Sequence, residues 1–571
     1  MPKRSVAVET VAEAYLKLLG ARGIEHLFAN AGTDFASIVD ALANAQQTGA
    51  KVPRAIAVPH ESVAVGMAHG YYLVSGRMQA VMVHVSIGTA NGLCGLMNAA
   101  RENVPILFTA GRTPITERGM AGSRSIKIHW AQELFDQAAM VREVVKWDYE
   151  LRYGSQIETV VDRAIAIAMQ EPRGPVYLSL PREVLAERMQ SLEYEHPTRV
   201  QPSADAEPDM NAISRAAKIL SSARNPLIIA GAVGQDTRGV RHLARLAEQF
   251  ALPVIEFWTS YLGLPSNHPM HLGYQIRPWL ADADAVLVLD SAVPWTPDTD
   301  APNETCKIIA MGGDPLYSRY PIRSFPADIA IAAPLRTGLP ALIEAMARRS
   351  PEQAAAMEAR RARITQTHDR IWAEARNRVE AVRGHGPGMS KVWVSRCLDQ
   401  AKADNAIVFS EYPVDRSVMT FSHPGTFFDQ CSAAGLGWGV AAALGAKLAC
   451  PEREIIACVG DGAYIFANPV ACHQVAEALH LPILIIVFNN GRWDAVRWAT
   501  TSMYPNGHAV QANQMPLTSL EPSPRYETVV AASGGYGERV ETPDALPGAL
   551  VRALKVVREE KRQALLNVLC I

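Results

Sequence analysis

The chain predicts an α/β protein made of three doubly wound units with mostly parallel sheets. Three observations lead there. Short apolar runs rich in Val and Ile alternate with segments of helical period, as in β-α units. The alternation recurs three times. The length of 571 residues, at roughly 100–200 residues per domain, allows about three or four domains.

In the first unit, Thr10 and Glu13 match a capping box, and Val11, Tyr15, Leu18 and Leu19 follow at helical spacing until Gly20 stops the helix. Strands are expected at Ile24–Ala29, Ala55–Val58, Ala80–His84, Ile106–Thr109 and Val176–Leu180. A polar, Pro-containing stretch from Tyr194 to Asp209 marks a boundary. The second unit supplies strands at Leu227–Ala230, Val254–Phe257, Ala285–Asp290, Lys307–Ala310 and Asp328–Ala332. An Ala-, Arg- and Glu-rich stretch, Met346–Arg383, reads as a solvated helix that leads to a flexible Gly384–Gly388 joint. Strands of the third unit are expected at Ala406–Phe409, Thr426–Asp429, Glu454–Val459, Ile483–Phe488 and Leu565–Leu569. The units are therefore placed at 1–193, 208–345 and 389–571, with 346–388 as a helical linker.

Lys plus Arg total 55 against 57 for Asp plus Glu, a net charge of -2 that gives no reason to expect a nucleic-acid or anionic-membrane partner. No stretch approaches the ~18 uninterrupted apolar residues of a membrane span, so a cytoplasmic protein is expected. The eight cysteines are scattered without a C-x-x-C pair and read as reduced thiols rather than a zinc site.

The third unit carries the most specific chemistry. Its strand Glu454–Val459 ends in Gly460-Asp461-Gly462-Ala463, and the next apolar strand ends in Asn489-Asn490-Gly491-Arg492. In a doubly wound sheet both ends fall on the carboxyl edge, where ligands bind, so Asp461 and Asn490 can converge. A carboxylate and an amide oxygen are hard ligands suited to Mg²⁺, and flanking glycines let backbone N–H groups approach a diphosphate. Gly-Asp-Gly alone is a common turn; the pairing with Asn-Asn makes it informative.

This arrangement resembles the diphosphate-binding motif of thiamine-diphosphate enzymes. The resemblance implies that Asp461, Asn490 and the carbonyl of Arg492 hold the metal, with Gly460, Gly462 and Ala463 beside the diphosphate. The interval between Asp461 and Asn490 is a residue or two longer than in many relatives. The segment Ala434-Gly435-Leu436-Gly437-Trp438-Gly439 is similar to the family's glycine-rich stretch, and Leu436 matches the bulky residue that supports the bent cofactor. In the first unit, Pro59-His60-Glu61-Ser62 follows a strand as the family's activating glutamate does, so Glu61 would hydrogen-bond the pyrimidine ring and promote loss of the thiazolium C2 proton. Alone, Glu61 is equally an acid placed at a helix N-terminus. The resemblance further implies active sites between subunits, in a homodimer or homotetramer.

Two branches of the family are matched. The loop Asn30-Ala31-Gly32-Thr33 and the strand end at His84 resemble benzoylformate decarboxylase, with Thr33 at the position of a Ser and His84 at that of an acid/base His; His268 falls where that enzyme has a second catalytic His, although His-Pro also occurs there in relatives with other chemistry. Gln132 and the tail through Trp498 resemble acetohydroxyacid (acetolactate) synthase, although Ala131 replaces a Phe and the decarboxylase has a Trp at the position of Trp498 too. The runs Ser291–Trp295 and Met311–Pro315 lack the synthase's flavin-contact pattern, so FAD is not expected. The resemblance thus implies a Mg²⁺- and thiamine-diphosphate-dependent lyase or transferase that cleaves or joins the C–C bond beside the carbonyl of a 2-oxo acid, with an aldehyde or second 2-oxo acid as the acceptor in a carboligation. The acetolactate-synthase-like carboligase/decarboxylase leads, a benzoylformate-type decarboxylase is the alternative, and a non-catalytic cofactor-binding regulatory paralogue is the reading from another class.

Overall fold

The computed structural model describes residues 3–347 and 350–571. Among them, three parallel sheets form, one in each expected unit. The first sheet runs in space as Arg54–Ala57, His26–Ala29, Ala80–Val83, Leu107–Arg112, Val176–Pro181 and Asp148–Glu150. The third runs as Phe427–Phe428, Ile407–Glu411, Ile455–Gly460, Leu484–Asn489, Ala564–Leu569 and Tyr536–Val540. In chain order both read second, first, third, fourth, sixth, fifth. The central sheet runs as Val254–Ile255, Pro226–Ala230, Ala285–Leu289, Lys307–Gly312 and Ile329–Ala332. In each sheet the order reverses between the first and third strands, so the ligand crevice is expected at the carboxyl ends of those two.

The strands form where apolar runs can be covered on both faces: Ala80–Val83 and Leu107–Arg112 are buried along their whole length. Two expected strands, Val254–Phe257 and Thr426–Asp429, contract to Val254–Ile255 and Phe427–Phe428. The structure adds strands at Asp148–Glu150 and Tyr536–Val540, which have too little apolar character to stand out, and an antiparallel pair between Lys3–Ala7 and Ser191–Glu195. The first helix runs on to Ala21 with Gly20 inside it. Its capping box is shifted: the Glu13 amide donates to Thr10 Oγ1, but the Glu13 carboxylate accepts from the amide of Glu9 rather than Thr10, so the acid ties down the strand-to-helix turn.

The linker is a helix, Pro351–Ala381, and it is docked more firmly than its composition suggests. Arg360 is buried and donates to the carbonyls of Ala223, Phe250 and Ala251, which lie at the C-terminal ends of two central-unit helices, where a cation is favoured. The joint behind it is held as well, through Gly388 N donating to Glu541 O and Met389 N to Leu569 O.

The first and third units share one apolar cluster, centred on two helices, Glu61–Ser75 and Trp438–Ala449. Small residues let their backbones approach: a Cβ at Gly66 would strike the Ala441 side chain, and a Cβ at Gly70 the Ala442 carbonyl. This contact also encloses His69, 1% exposed, edge-on to Trp438. Burial without a hydrogen-bond partner pushes its pKa down to about 3, so His69 is a neutral packing residue. All eight cysteines are free thiols; Cys94 is exposed, and five of the others are buried. Among the described residues no helix is long and apolar enough to cross a membrane.

Candidate active site

At the crevice of the first sheet, Ala29 leads into Asn30, Gly32 and the short turn Thr33–Phe35, while Val83 leads into His84, the N-cap of the helix Val85–Arg101. Asp34, only 3% exposed, crosses to His84, with the Nδ1 to Oδ1 distance at 2.5 Å. On the other edge of the ring, Gln132 Nε2 donates to His84 Nε2 over 3.2 Å. The hydrogen bond to Asp34 is the largest influence on His84 and raises its pKa above the ordinary 6.5, against the lowering effect of burial. The imidazole is thus oriented at both nitrogens and can carry a proton near neutral pH. Gly32 is required here, since a Cβ would collide with the His84 ring. Thr33 is exposed at the same turn, and Asn30 donates its backbone N–H to Met82.

Glu61 is the first residue of its helix, at the carboxyl end of the neighbouring strand, and is 5% exposed. Its carboxylate accepts from Asn91 Nδ2 at 3.1 Å, and no cationic side chain pairs with it among the described residues. It is therefore a buried acid with acceptor capacity to spare.

At the crevice of the third sheet, Asp461 begins the helix Asp461–Phe466, with its carboxylate accepting from the amides of Gly462 (2.9 Å) and Gly491 (2.8 Å). Burial raises its pKa, and no cationic side chain offsets that burial among the described residues. Asn490 Oδ1 accepts from Arg492 N at 3.2 Å, and the Arg492 carbonyl accepts from Asp494 N at 3.0 Å. Three oxygen donors thus lie on one edge, and among the described residues no cationic side chain pairs with the single negative charge they carry. This set suits a divalent metal such as Mg²⁺, which keeps phosphate oxygens and water in its shell. Gly460 faces open space, where a Cβ would meet nothing, and Gly462 is pressed against Trp493. Ala463 is buried. Leu436, half-buried in the glycine-rich turn, packs on the shared apolar cluster.

Two of the residues singled out in the sequence lie apart from these groups. His268 caps its own turn, accepting from Met270 N, and burial lowers its pKa among Glu248, His271 and His368. Trp498 is 71% exposed on the helix Asp494–Met503. A cavity of about 900 Å³ opens elsewhere, between the first and central units, lined by Arg101, Lys146, Arg238, Tyr317 and Arg319. Sequence reading missed Asp34, because an acid in a turn has a local explanation and its partner lies 50 residues away.

Models of the thiamine pyrophosphate enzyme family match three stretches of the chain: the N-terminal TPP binding domain over residues 9–140, the central domain over 213–342 and the C-terminal TPP binding domain over 414–568. A sulfoacetaldehyde acetyltransferase of Rhodobacter capsulatus is 28% identical, the match covering 95% of this chain and 92% of that one. A benzoylformate decarboxylase of Pseudomonas aeruginosa is 27% identical over 77% of this chain and 79% of its own. An acetolactate synthase large subunit of Mycobacterium tuberculosis is 25% identical over 94% and 92%. In fold, the chain matches a thiamine diphosphate-dependent 4-hydroxybenzoylformate decarboxylase of Rhodococcus jostii with a TM-score of 0.77, at 22% identity, covering 98% of this chain and 99% of that one.

Proposed function

Because the chain belongs to the thiamine pyrophosphate enzyme family, we propose that it is a thiamine-diphosphate- and Mg²⁺-dependent enzyme that removes CO₂ from a 2-oxo acid and returns a proton to the product. The observation that carries the decarboxylase reading is His84, set between Asp34 and Gln132. The residues that would hold the cofactor are Asp461, Asn490 and the Arg492 carbonyl for the metal, the Gly460–Ala463 turn for the diphosphate, Leu436 beneath the bent middle and Glu61 at the pyrimidine. Bound thiamine diphosphate supplies the electron sink that lets the carboxylate leave as CO₂.

The chain supplies orientation and proton movement. Glu61, buried and without a cationic partner, holds or gives up a proton at the pyrimidine ring. In the neutral form of His84, Nδ1–H donates to Asp34 and Nε2 accepts from Gln132. Once Nε2 is protonated, the Gln132 amide N–H no longer has an acceptor there and must turn away; the Nε2–H can then be delivered to substrate, and Asp34 stabilises the charge of the imidazolium. Thr33 and Asn30 border the same crevice and can hold the substrate's polar groups.

Glu61 and Asp461 serve different sheets, with Asn91 and the Gly491 amide as their respective partners. The active unit is proposed to be a homodimer or larger homo-oligomer that brings the first unit of one copy against the third unit of another. Exposed apolar residues on both units, Ile87 and Met97 on one and Ile465, Phe466 and Val470 on the other, support that association. The enzyme is proposed to be cytoplasmic and flavin-free: Trp295 is buried against Phe325, and Arg323 ties down the carbonyls of Ser291 and Ala292, so this run is committed to its own core.

Carboligation is the second reading, favoured by similarity to an acetyltransferase and an acetolactate synthase over more than nine-tenths of the chain. The deciding experiment incubates the protein with thiamine diphosphate and Mg²⁺ against aliphatic and aromatic 2-oxo acids, with and without an aldehyde, and scores CO₂ and products separately. CO₂ release with aldehyde as the sole product supports the decarboxylase; a ligated product whenever an acceptor is present supports the carboligase. No CO₂ from any 2-oxo acid, despite cofactor binding, would favour the regulatory paralogue.

A further inference from the structure

The turn that carries Leu436 is held from both sides by buried side chains that no motif marks. From the first unit, Asn98 makes a reciprocal pair with Gly435: Asn98 Nδ2 donates to Gly435 O at 2.9 Å, and Gly435 N donates to Asn98 Oδ1 at 3.0 Å. Four residues along, Glu102 accepts from Ser432 N at 2.6 Å and from Ser432 Oγ at 2.7 Å. From the third unit, Glu411 accepts from Gly437 N at 2.7 Å with one carboxylate oxygen and from Gly439 N at 2.8 Å with the other. Asn98, Glu102 and Glu411 are each at most 3% exposed. The held backbone includes Ala434 at φ 54°, a left-handed conformation that costs a non-glycine residue, and Gly437 at φ 89°, which glycine allows.

We infer that Asn98 and Glu411 are positioning residues that clamp the Gly435–Gly439 turn and thereby set Leu436 against the cofactor. This deepens the proposed function and rests on it. The amide and the carboxylate suit the task for different reasons. A carboxylate can accept two N–H bonds at once; Asn98 matches one carbonyl and one N–H of a single glycine, which neither an acid nor an alkyl side chain does. Asn98 also lies on the helix Val85–Arg101, whose N-cap is His84. One rigid element thus connects the His84 end of the first unit to the Leu436 turn of the third, two groups that in the proposed dimer serve neighbouring sites.

The test uses the full-length protein without cofactor first. Hydrogen–deuterium exchange of the turn amides is followed in wild type, Asn98→Ala, Asn98→Asp and Glu411→Gln, with thermal unfolding as a control for the fold. Titration with thiamine diphosphate and Mg²⁺ is then followed by tryptophan fluorescence. Asn98→Ala is expected to speed exchange at the turn by about tenfold and to weaken cofactor binding by about as much, since two buried hydrogen bonds are lost. Asn98→Asp keeps the acceptor for Gly435 N–H and falls between; Glu411→Gln frees one of the two glycine amides and speeds its exchange. Unchanged exchange in Asn98→Ala and Glu411→Gln would overturn the clamp. Faster exchange with cofactor affinity within about threefold of wild type would overturn the positioning role, because a loosened support should be felt by the ligand. A wild type that does not take up thiamine diphosphate would refute the functional reading and the positioning role together, leaving the exchange data to decide whether the clamp exists.

Discussion

The first and third sheets have the same strand order, and each ends in a crevice between its first and third strands, yet the two crevices hold different chemistry. The first holds a hydrogen-bonded imidazole and carboxylate, His84 with Asp34, proposed to carry the proton. The third holds oxygen donors and backbone amides around Asp461, extending from the end of its third strand to that of its fourth. Even the helices that follow the second strand of each sheet differ in what they present, Glu61 at the start of one and the Leu436 turn before the other, although the two pack together. The topology makes the crevice, and a few residues at the strand ends set the different roles proposed for the two, proton transfer in one and the anchoring of a charged ligand in the other.

Breaking the first crevice should have the largest effect on chemistry. His84→Ala removes an oriented acid/base and should lower kcat by about 10²–10⁴-fold at full cofactor occupancy. A fall of less than about threefold would leave His84 as a strand-end residue. Breaking the third crevice should instead act on binding. Asp461→Ala removes the only charged donor of the set and should weaken cofactor binding by about 100-fold, with lost Mg²⁺ dependence, as read by calorimetry. Unchanged affinity would mean that the third crevice is not the anchor.

The shared helix pair offers a smaller perturbation. Gly70→Ala forces a Cβ into the Ala442 carbonyl and should cost about 1–3 kcal/mol, seen as a lower thermal midpoint. The smallest change sharpens the His84 assignment. The folded state holds the His84 proton more tightly than the ordinary 6.5, so the stabilisation from the pair is complete below that value and fades as pH rises through the folded value. Asp34→Asn should bring the His84 midpoint, followed by NMR, back towards 6.5 and flatten the stability profile above it. An unmoved midpoint would show that Asp34 does not govern the imidazole.

The differences between the crevices also explain what was legible in the sequence. Asp461 and Asn490 sit at the ends of long apolar strands, where a strand-end rule and a local motif coincide, and Glu61 follows a strand in the same manner. Asp34, Asn98 and Glu411 carry no such signal. Each acts through a partner remote in sequence, as far as 337 residues for Asn98 and Gly435, and each has an ordinary local reading as a turn acid, a helix amide or a strand-end acid. The strands follow the same division: Leu484–Asn489 stands out because every residue is buried, whereas Asp148–Glu150 is only half-buried at the edge of its sheet.

In the proposed dimer the two crevices complete one site across two copies of the chain. Mixing Glu61→Ala with Asp461→Ala, by co-expression or by dissociation and reassociation, tests this at a cofactor concentration where neither variant alone is active. In a mixed dimer one site receives both substitutions and the other receives intact Glu61 from one copy and intact Asp461 from its partner. The mixture is expected to regain activity, up to about one quarter of wild type for random pairing. A mixture that forms the mixed dimer and stays as inactive as its parents would contradict it, because each site would then draw Glu61 and Asp461 from the same chain.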